Sequence, residues 1–205
     1  MVQTARASRT QGERSAAMQR RLLDATIAAL YEKGYGGTTT LEVQQRAGVS
    51  RGALLHHYSS RADLMVAAVE HLVRERMAEV LLIAQQAPPK AKRVEWAVRV
   101  LWRTFDGAMF TAALELWLAA RNDEELLAVL LPQERILGQA IRGMAADLFG
   151  PAARDSADFP DALELVLDAM RGAASRRVLR TEGSEERLLH EWTTFMEGVL
   201  NKRQS

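Results

Sequence analysis

The residue types that could catalyse a reaction or bind a metal are few in this chain, and they do not combine into a site. There are four histidines and no cysteine, so thiolate ligands and thiol nucleophiles are absent. His56 and His57 are adjacent, and adjacent side chains on a helix diverge by about 100°. His71 and His190 stand at no ligand spacing to them, and no Ser/His/Asp set or glycine-rich phosphate loop occurs. We predict no metal, no cofactor and no catalytic site.

The stretch "TTTLEVQQRAGVSRGALLHHYSSRADL", residues 38–64, carries the start and stop signals of two short helices. Thr39 can cap the first helix, and Glu42, three residues later, completes a capping box. Gly48 ends that helix, and Ser50 can cap the next one. The two helices are therefore joined by a three-residue Gly-Val-Ser turn.

These helices, over about 40–47 and 51–57, are marginal in water by themselves, so packing must hold them. The inward-facing set is Val43, Ala47, Val49 and Leu54. A preceding helix over about 14–33 lies behind them. Two short helices with so tight a turn, stacked on a third, describe a helix-turn-helix, whose second helix enters the DNA major groove.

DNA contacts follow from the outward face of the second helix, which presents Arg51, Gly52, Leu55 and His56. Arg51 can bind guanine O6 and N7 bidentately, and His56 can contact a base edge or a phosphate. Thr40 and Arg61 stand at helix N-termini, where a phosphate binds well. A merely solvated surface charge is the alternative for Arg51.

Charge is distributed unevenly along the chain. Residues 1–60 carry eight basic and four acidic side chains, a net of +4, whereas the remaining 19 basic and 22 acidic side chains give −3. This favours an anionic partner near the N-terminus, where a flexible arm over residues 1–13 can follow DNA. No apolar run reaches the roughly 18 residues of a membrane span, so we expect a cytoplasmic protein with no membrane partner.

The rest of the chain predicts an all-α fold, because helix formers dominate and two-residue alternation is nearly absent. Further helices are expected over about 63–85, 92–106, 108–120, 123–148, 161–180 and 185–202. Pro132 should kink or restart one of them, and 149–160 should form a loop. We divide the chain into the arm, a DNA-binding domain over 14–60 and a helical effector-binding and dimerisation domain over 61–205.

The segment "GYGGTTTLEVQQRAGVSRGALLHHYSSRADL" resembles the DNA-binding domain of the tetracycline-repressor (TetR) family of transcriptional regulators. The resemblance covers roughly residues 14–75, and beyond it only the helical architecture fits. It implies DNA contacts from Thr39 and Ser50 as well, and it gives His57 either a phosphate contact or a packing role. Gln44 and Leu55 depart from the family pattern, which usually has a small residue and an aromatic residue at these positions.

An aromatic cluster in the C-terminal part is either plain core or the wall of an effector cavity between helices. The candidate lining residues are Trp96, Trp102, Phe105, Met109, Phe110, Leu114, Trp117 and Met144. Glu115 stands alone in "FTAALELWLAA" and is either a surface residue or the group that orients a ligand. A mostly apolar lining indicates a hydrophobic small molecule.

The last two helices carry wide apolar stripes that predict a four-helix dimer interface, with ordinary packing within the chain as the alternative. The candidate interface residues are Leu163, Val166, Leu167, Met170, Ala174, Leu188, Trp192, Phe195 and Val199.

Taken with the resemblance, the sequence predicts a homodimeric regulator that binds a palindromic operator in double-stranded DNA. It is expected to act as a repressor that a hydrophobic effector releases. Two alternatives remain open at this point: a structural DNA-binding protein without a ligand, and an all-helical enzyme.

Overall fold

The computed structural model describes residues 11–179 and 184–201, which contain ten α-helices and no strand. The all-α prediction is therefore confirmed for this part of the chain. The helices are α1 Gln11–Gly37, α2 Thr40–Ala47, α3 Arg51–His57, α4 Arg61–Ala84, α5 Arg93–Arg103, α6 Gly107–Ala120, α7 Glu124–Phe149, α8 Pro151–Asp155, α9 Phe159–Ser175 and α10 Ser184–Asn201.

Helix α1 begins earlier than expected and is interrupted near its end. Residues 11–13, which we assigned to the arm, form its first turn, while the rest of the predicted arm, residues 1–10, lies outside the described residues. Gly34 interrupts the helical backbone with φ 66° and ψ −179°. This conformation is nearly exclusive to glycine, so the glycine fixes where the chain leaves the α1 axis.

The capping signals of α2 are half confirmed. The Thr39 hydroxyl accepts a hydrogen bond from the Glu42 backbone N–H at 3.2 Å, as an N-cap should. The Glu42 carboxylate does not complete the reciprocal box; it pairs with Lys33 at 2.6 Å and with Arg46 at 3.2 Å. Ion pairs with two cationic side chains stabilise this carboxylate more than one hydrogen bond from a backbone N–H would.

The turn between α2 and α3 forms as the sequence predicts. Gly48 adopts the left-handed conformation, φ 64° and ψ 42°, and its N–H bonds to carbonyls of the last turn of α2. The Ser50 hydroxyl accepts from the Ala53 N–H at 3.2 Å and starts α3. The predicted helices 40–47 and 51–57 are confirmed at both ends.

Helix α4 connects the helix-turn-helix to the C-terminal part, because its side chains belong to two buried clusters. Its first turns place Leu64 and Ala68 in a buried cluster with α1, α2 and α3. Met65, Val66 and Val69 of the same helix pack with residues of α1, α6 and α7 in a second cluster. A rigid helix therefore runs from the turn region into the C-terminal part.

Helix α7 runs without interruption through Pro132, so the predicted restart at this residue is wrong. Buried residues before and after the proline, Leu126, Leu130 and Met144 among them, fix the helix on both sides. Tertiary packing thus offsets the lost backbone hydrogen bond. The predicted loop 149–160 also contains the short helix α8.

The stripe on α9 and α10 faces inward, which corrects most of the predicted dimer interface. Side chains at six of the nine positions are at most 8% exposed in the single chain: Leu163, Val166, Leu167, Met170, Ala174 and Trp192. They form one core with α5 and α7. Leu188 and Val199 are partly buried against it, and Phe195 is 43% exposed. A periodic stripe shows which face is buried, but not against which partner.

Candidate functional site

The outward face of α3 is solvent-exposed as predicted. Arg51, Gly52, Leu55 and His56 are all exposed, whereas Leu54 beneath them is 2% exposed. His57 is half-buried, and its ring meets that of His56 edge-on at 5.5 Å. The short helix thus has one anchored side and one side free for a groove.

The residues predicted to contact phosphates lie near the helix N-termini at this surface. Thr39 and Ser50 are exposed N-caps, and Thr40 opens α2 half-buried. The Thr39 and Ser50 hydroxyls each accept a hydrogen bond as a cap, so their O–H groups and nearby backbone N–H groups are the donors left for a phosphate.

Arg61 differs from the prediction, because its guanidinium points into the protein. Its Nε donates to the Thr38 carbonyl at 2.8 Å, and a terminal nitrogen donates to the Tyr35 carbonyl. The guanidinium carbon lies 3.9 Å from the centre of the Tyr35 ring. The side chain therefore holds the end of α1 to the start of α4.

Tyr35 also connects the helix-turn-helix to the C-terminal part through two carboxylates. Its backbone N–H donates to Glu115 Oε2 at 3.0 Å, and its hydroxyl donates to Asp123 Oδ2 at 2.8 Å. We call Gly34, Tyr35, Arg61, Glu115 and Asp123 the interdomain joint. Glu115 is therefore neither a free surface residue nor a ligand-orienting group in this structure. Sequence reasoning missed the joint, since 80 residues separate Tyr35 from Glu115.

The joint perturbs the pKa of two of its members. Burial, and then the hydrogen bond to Asp123, raise the pKa of Tyr35 to about 12. The Leu126 backbone N–H, and next the Tyr35 hydroxyl, lower the pKa of Asp123. Asp123 also caps α7 by accepting from that N–H at 2.9 Å. Both groups keep at neutral pH the protonation that the hydrogen bond between them requires.

A cavity of about 230 Å³ opens among α4, α5, α6, α7 and α9. Five of the eight predicted effector residues line it: Phe105, Met109, Phe110, Trp117 and Met144. The other three lie elsewhere. Trp102 is 3% exposed, and its ring lies 5.3 Å from that of Trp192, while Trp96 and Leu114 pack on the same core. For these three the plain-core alternative is the better description.

The cavity wall also contains charged groups that the sequence did not single out. The Trp117 indole N–H donates to Glu134 Oε1 at 2.8 Å. Three arginines and a second glutamate complete the charged part of the lining, Arg76, Arg142, Arg171 and Glu164. Glu134 lies 17 residues after Trp117 on another helix, so no local pattern marks the pair.

No group of three His, Cys, Asp or Glu side chains that could hold a metal ion occurs in residues 11–179 and 184–201. None of the helices in the same ranges is long and apolar enough to cross a bilayer.

Two capped short helices with an exposed reading face, mounted on a helical body with a cavity, define a helix-turn-helix DNA-binding regulator. Comparison with known proteins agrees. The profile of bacterial regulatory proteins of the tetR family matches residues 22–68. The HTH-type transcriptional regulator Mb2936c of Mycobacterium bovis is 30% identical over 197 residues, covering 94% of this chain and 100% of that protein. The HTH-type transcriptional regulator CymR of Pseudomonas putida is 28% identical over 185 residues, covering 82% and 83%.

Solved structures share the fold. A TetR transcription regulator from Haloarcula marismortui aligns with a TM-score of 0.70 at 18% identity, covering 90% of this chain and 98% of that chain. The multidrug binding protein EbrR complexed with ethidium aligns with a TM-score of 0.65 at 22% identity, covering 87% and 97%. The chain belongs to the TetR family of transcriptional regulators, which bind DNA and are not enzymes.

Proposed function

We propose that this regulator represses transcription as a homodimer on a palindromic operator, and that a hydrophobic small molecule in the cavity releases it. The observation that carries the proposal is the cavity, because its wall consists largely of apolar and aromatic side chains. Structural relatives complexed with ethidium, and with choline in a regulator from Saccharomonospora viridis, support a small-molecule effector for this chain.

Two helices connect the cavity to the reading surface. Helix α4 lines the cavity with Val73, Met77 and Val80, and it packs on α1, α2 and α3 at its other end. Helix α6 lines the cavity with Trp117, and two residues earlier it binds the Tyr35 N–H through Glu115. A ligand that binds one arrangement of these helices better than another therefore changes the orientation of α3.

Dimerisation is proposed through the outer side of α9 and α10. Leu165 is 64% exposed and Phe195 is 43% exposed on these helices. Leu188 and Val199 lie partly buried on the same pair of helices. Exposed apolar side chains of this size favour an isologous contact with a second copy. A dimer also supplies the two reading helices that half-sites about 34 Å apart require.

Selection of bound sequences from a random DNA pool tests the proposal. At near-physiological salt, the full-length protein should recover a palindrome with half-sites about one helical turn apart. Cavity-sized apolar compounds are then screened for release of that DNA. Unselective binding with a steep salt dependence would instead indicate a structural DNA-binding role. A recovered palindrome that no compound releases would contradict the effector part alone.

A further inference from the structure

We infer that the effector cavity takes a lipophilic organic cation, whose positive charge lies beside the Glu134 carboxylate and over the face of the Trp117 ring; this inference rests on the proposed effector function.

The Glu134 carboxylate is in an unusual position for a negative charge. It is half-buried, and it lines both the cavity and an adjoining groove between α4 and α7. Its Oε1 accepts the Trp117 indole N–H at 2.8 Å. Among the described residues it has no ion-pair partner. Partial removal of a carboxylate from water costs free energy, and a cation in the cavity would offset that cost.

An aromatic wall leads to this carboxylate. The rings of Phe105 and Phe110 meet edge-on with centres 5.6 Å apart, and those of Phe110 and Trp117 do so at 6.3 Å. All three residues line the cavity. Aromatic faces attract organic cations, tryptophan most strongly, and they bind the apolar body of the same molecule. A carboxylate at the end of such a wall matches a cation with an apolar substituent.

The arginines of the lining do not offset this charge. Arg76 pairs with Glu79 at 3.0 Å, and Arg171 pairs with Asp168. Arg142 is exposed, and it lies with Glu164 and Arg171 in a small side recess that contains neither Glu134 nor Trp117. Water and salt screen exposed charges more than half-buried ones. The partly buried Glu134 carboxylate therefore determines the sign of the charge that a bound ligand carries.

Three probes with one frame and three charges test the inference. Each probe carries a compact tetrahedral group on a benzyl group. Benzyltrimethylammonium has charge +1, neopentylbenzene is neutral, and benzylsulfonate has charge −1. Dissociation constants are measured by calorimetry on the full-length protein. We expect the cation to bind at least about tenfold tighter than the neutral isostere. Glu134→Gln keeps an acceptor for the indole N–H and removes the charge, so it should abolish this preference while the neutral probe still binds.

Glu164→Gln is the matched control, because it removes an exposed carboxylate from the same lining and should leave the preference intact. Equal affinities for the cation and the neutral isostere would overturn the inference, as would binding of none of the probes. Tightest binding of benzylsulfonate, lost in Arg142→Gln, would replace it with an anionic ligand. Operator selection is run on the same preparation. A protein that does not bind DNA is thereby distinguished from a protein that binds DNA but does not prefer the cationic probe.

Discussion

At the scale of single residues, the reading face depends on a short helix with few side chains long enough to reach a base. Arg51 is the exposed arginine at the first position of α3 and has no hydrogen-bond partner among the described residues. Leu55 and His56 follow on the exposed side, and Gly52 adds no side chain. Arg51 is therefore the residue of α3 best suited to bidentate recognition of guanine.

Replacing Arg51 with alanine should weaken binding to the selected operator by about 1 to 3 kcal/mol and relax preference at one base pair, because one bidentate contact is lost. Fluorescence anisotropy with matched and single-substituted operators measures both effects. Arg103→Ala, an exposed arginine on α5, serves as the control and should leave affinity unchanged. An equal loss of affinity for all operator sequences would instead indicate that Arg51 contacts a phosphate.

At the scale of helices, the interdomain joint sets how the helix-turn-helix meets the C-terminal part. An ideal Cβ at Gly34 would lie 2.6 Å from Glu115 Oε2, and the backbone there has φ 66°. A side chain at this position would displace the Glu115 carboxylate that binds the Tyr35 N–H. The end of α1 and the face of α6 therefore fit together through one glycine.

Gly34→Ala should lower the free energy of unfolding by about 2 to 4 kcal/mol, because it combines backbone strain with loss of the Tyr35–Glu115 hydrogen bond. Urea denaturation measures the change. Gly172→Ala is the control, since a Cβ there meets open space within helix α9 and should be neutral or stabilising. A Gly34→Ala protein as stable as the parent would show that the joint contributes little to stability.

At the scale of the whole molecule, the proposed homodimer requires an apolar surface that the single chain leaves exposed. Most of the apolar stripe on α9 and α10 is already used inside the chain. What remains outside includes Leu165 and Phe195. A dimer through these residues would be built on helices that also form the main core of each chain.

Changing both Leu165 and Phe195 to glutamate should convert the proposed dimer to a monomer, because charges would replace apolar side chains in the proposed interface. Sedimentation velocity measures the change, and operator affinity should fall with it. Leu82→Glu is the matched control, since Leu82 is 62% exposed on α4 outside the proposed interface. A double variant that stays dimeric would place the interface elsewhere.

The sequence by itself determined the local features, namely the boundaries of α2 and α3, their caps and the left-handed Gly48. Caps and turns join groups within a few residues, so their signals lie together in the chain. The aromatic side chains of the cavity wall were also predicted, because they lie close together in the chain, on α6 and just before it.

Only the tertiary structure decided which faces of the helices pack against one another. It directed the α9 stripe inward, kept α7 continuous through Pro132, and excluded Trp102 from the cavity. It also brought Glu115 to Tyr35 and Glu134 to Trp117. Periodicity tells which side of a helix avoids water, but the partner of that side, and the rare polar contacts across it, depend on the packing of all the helices together.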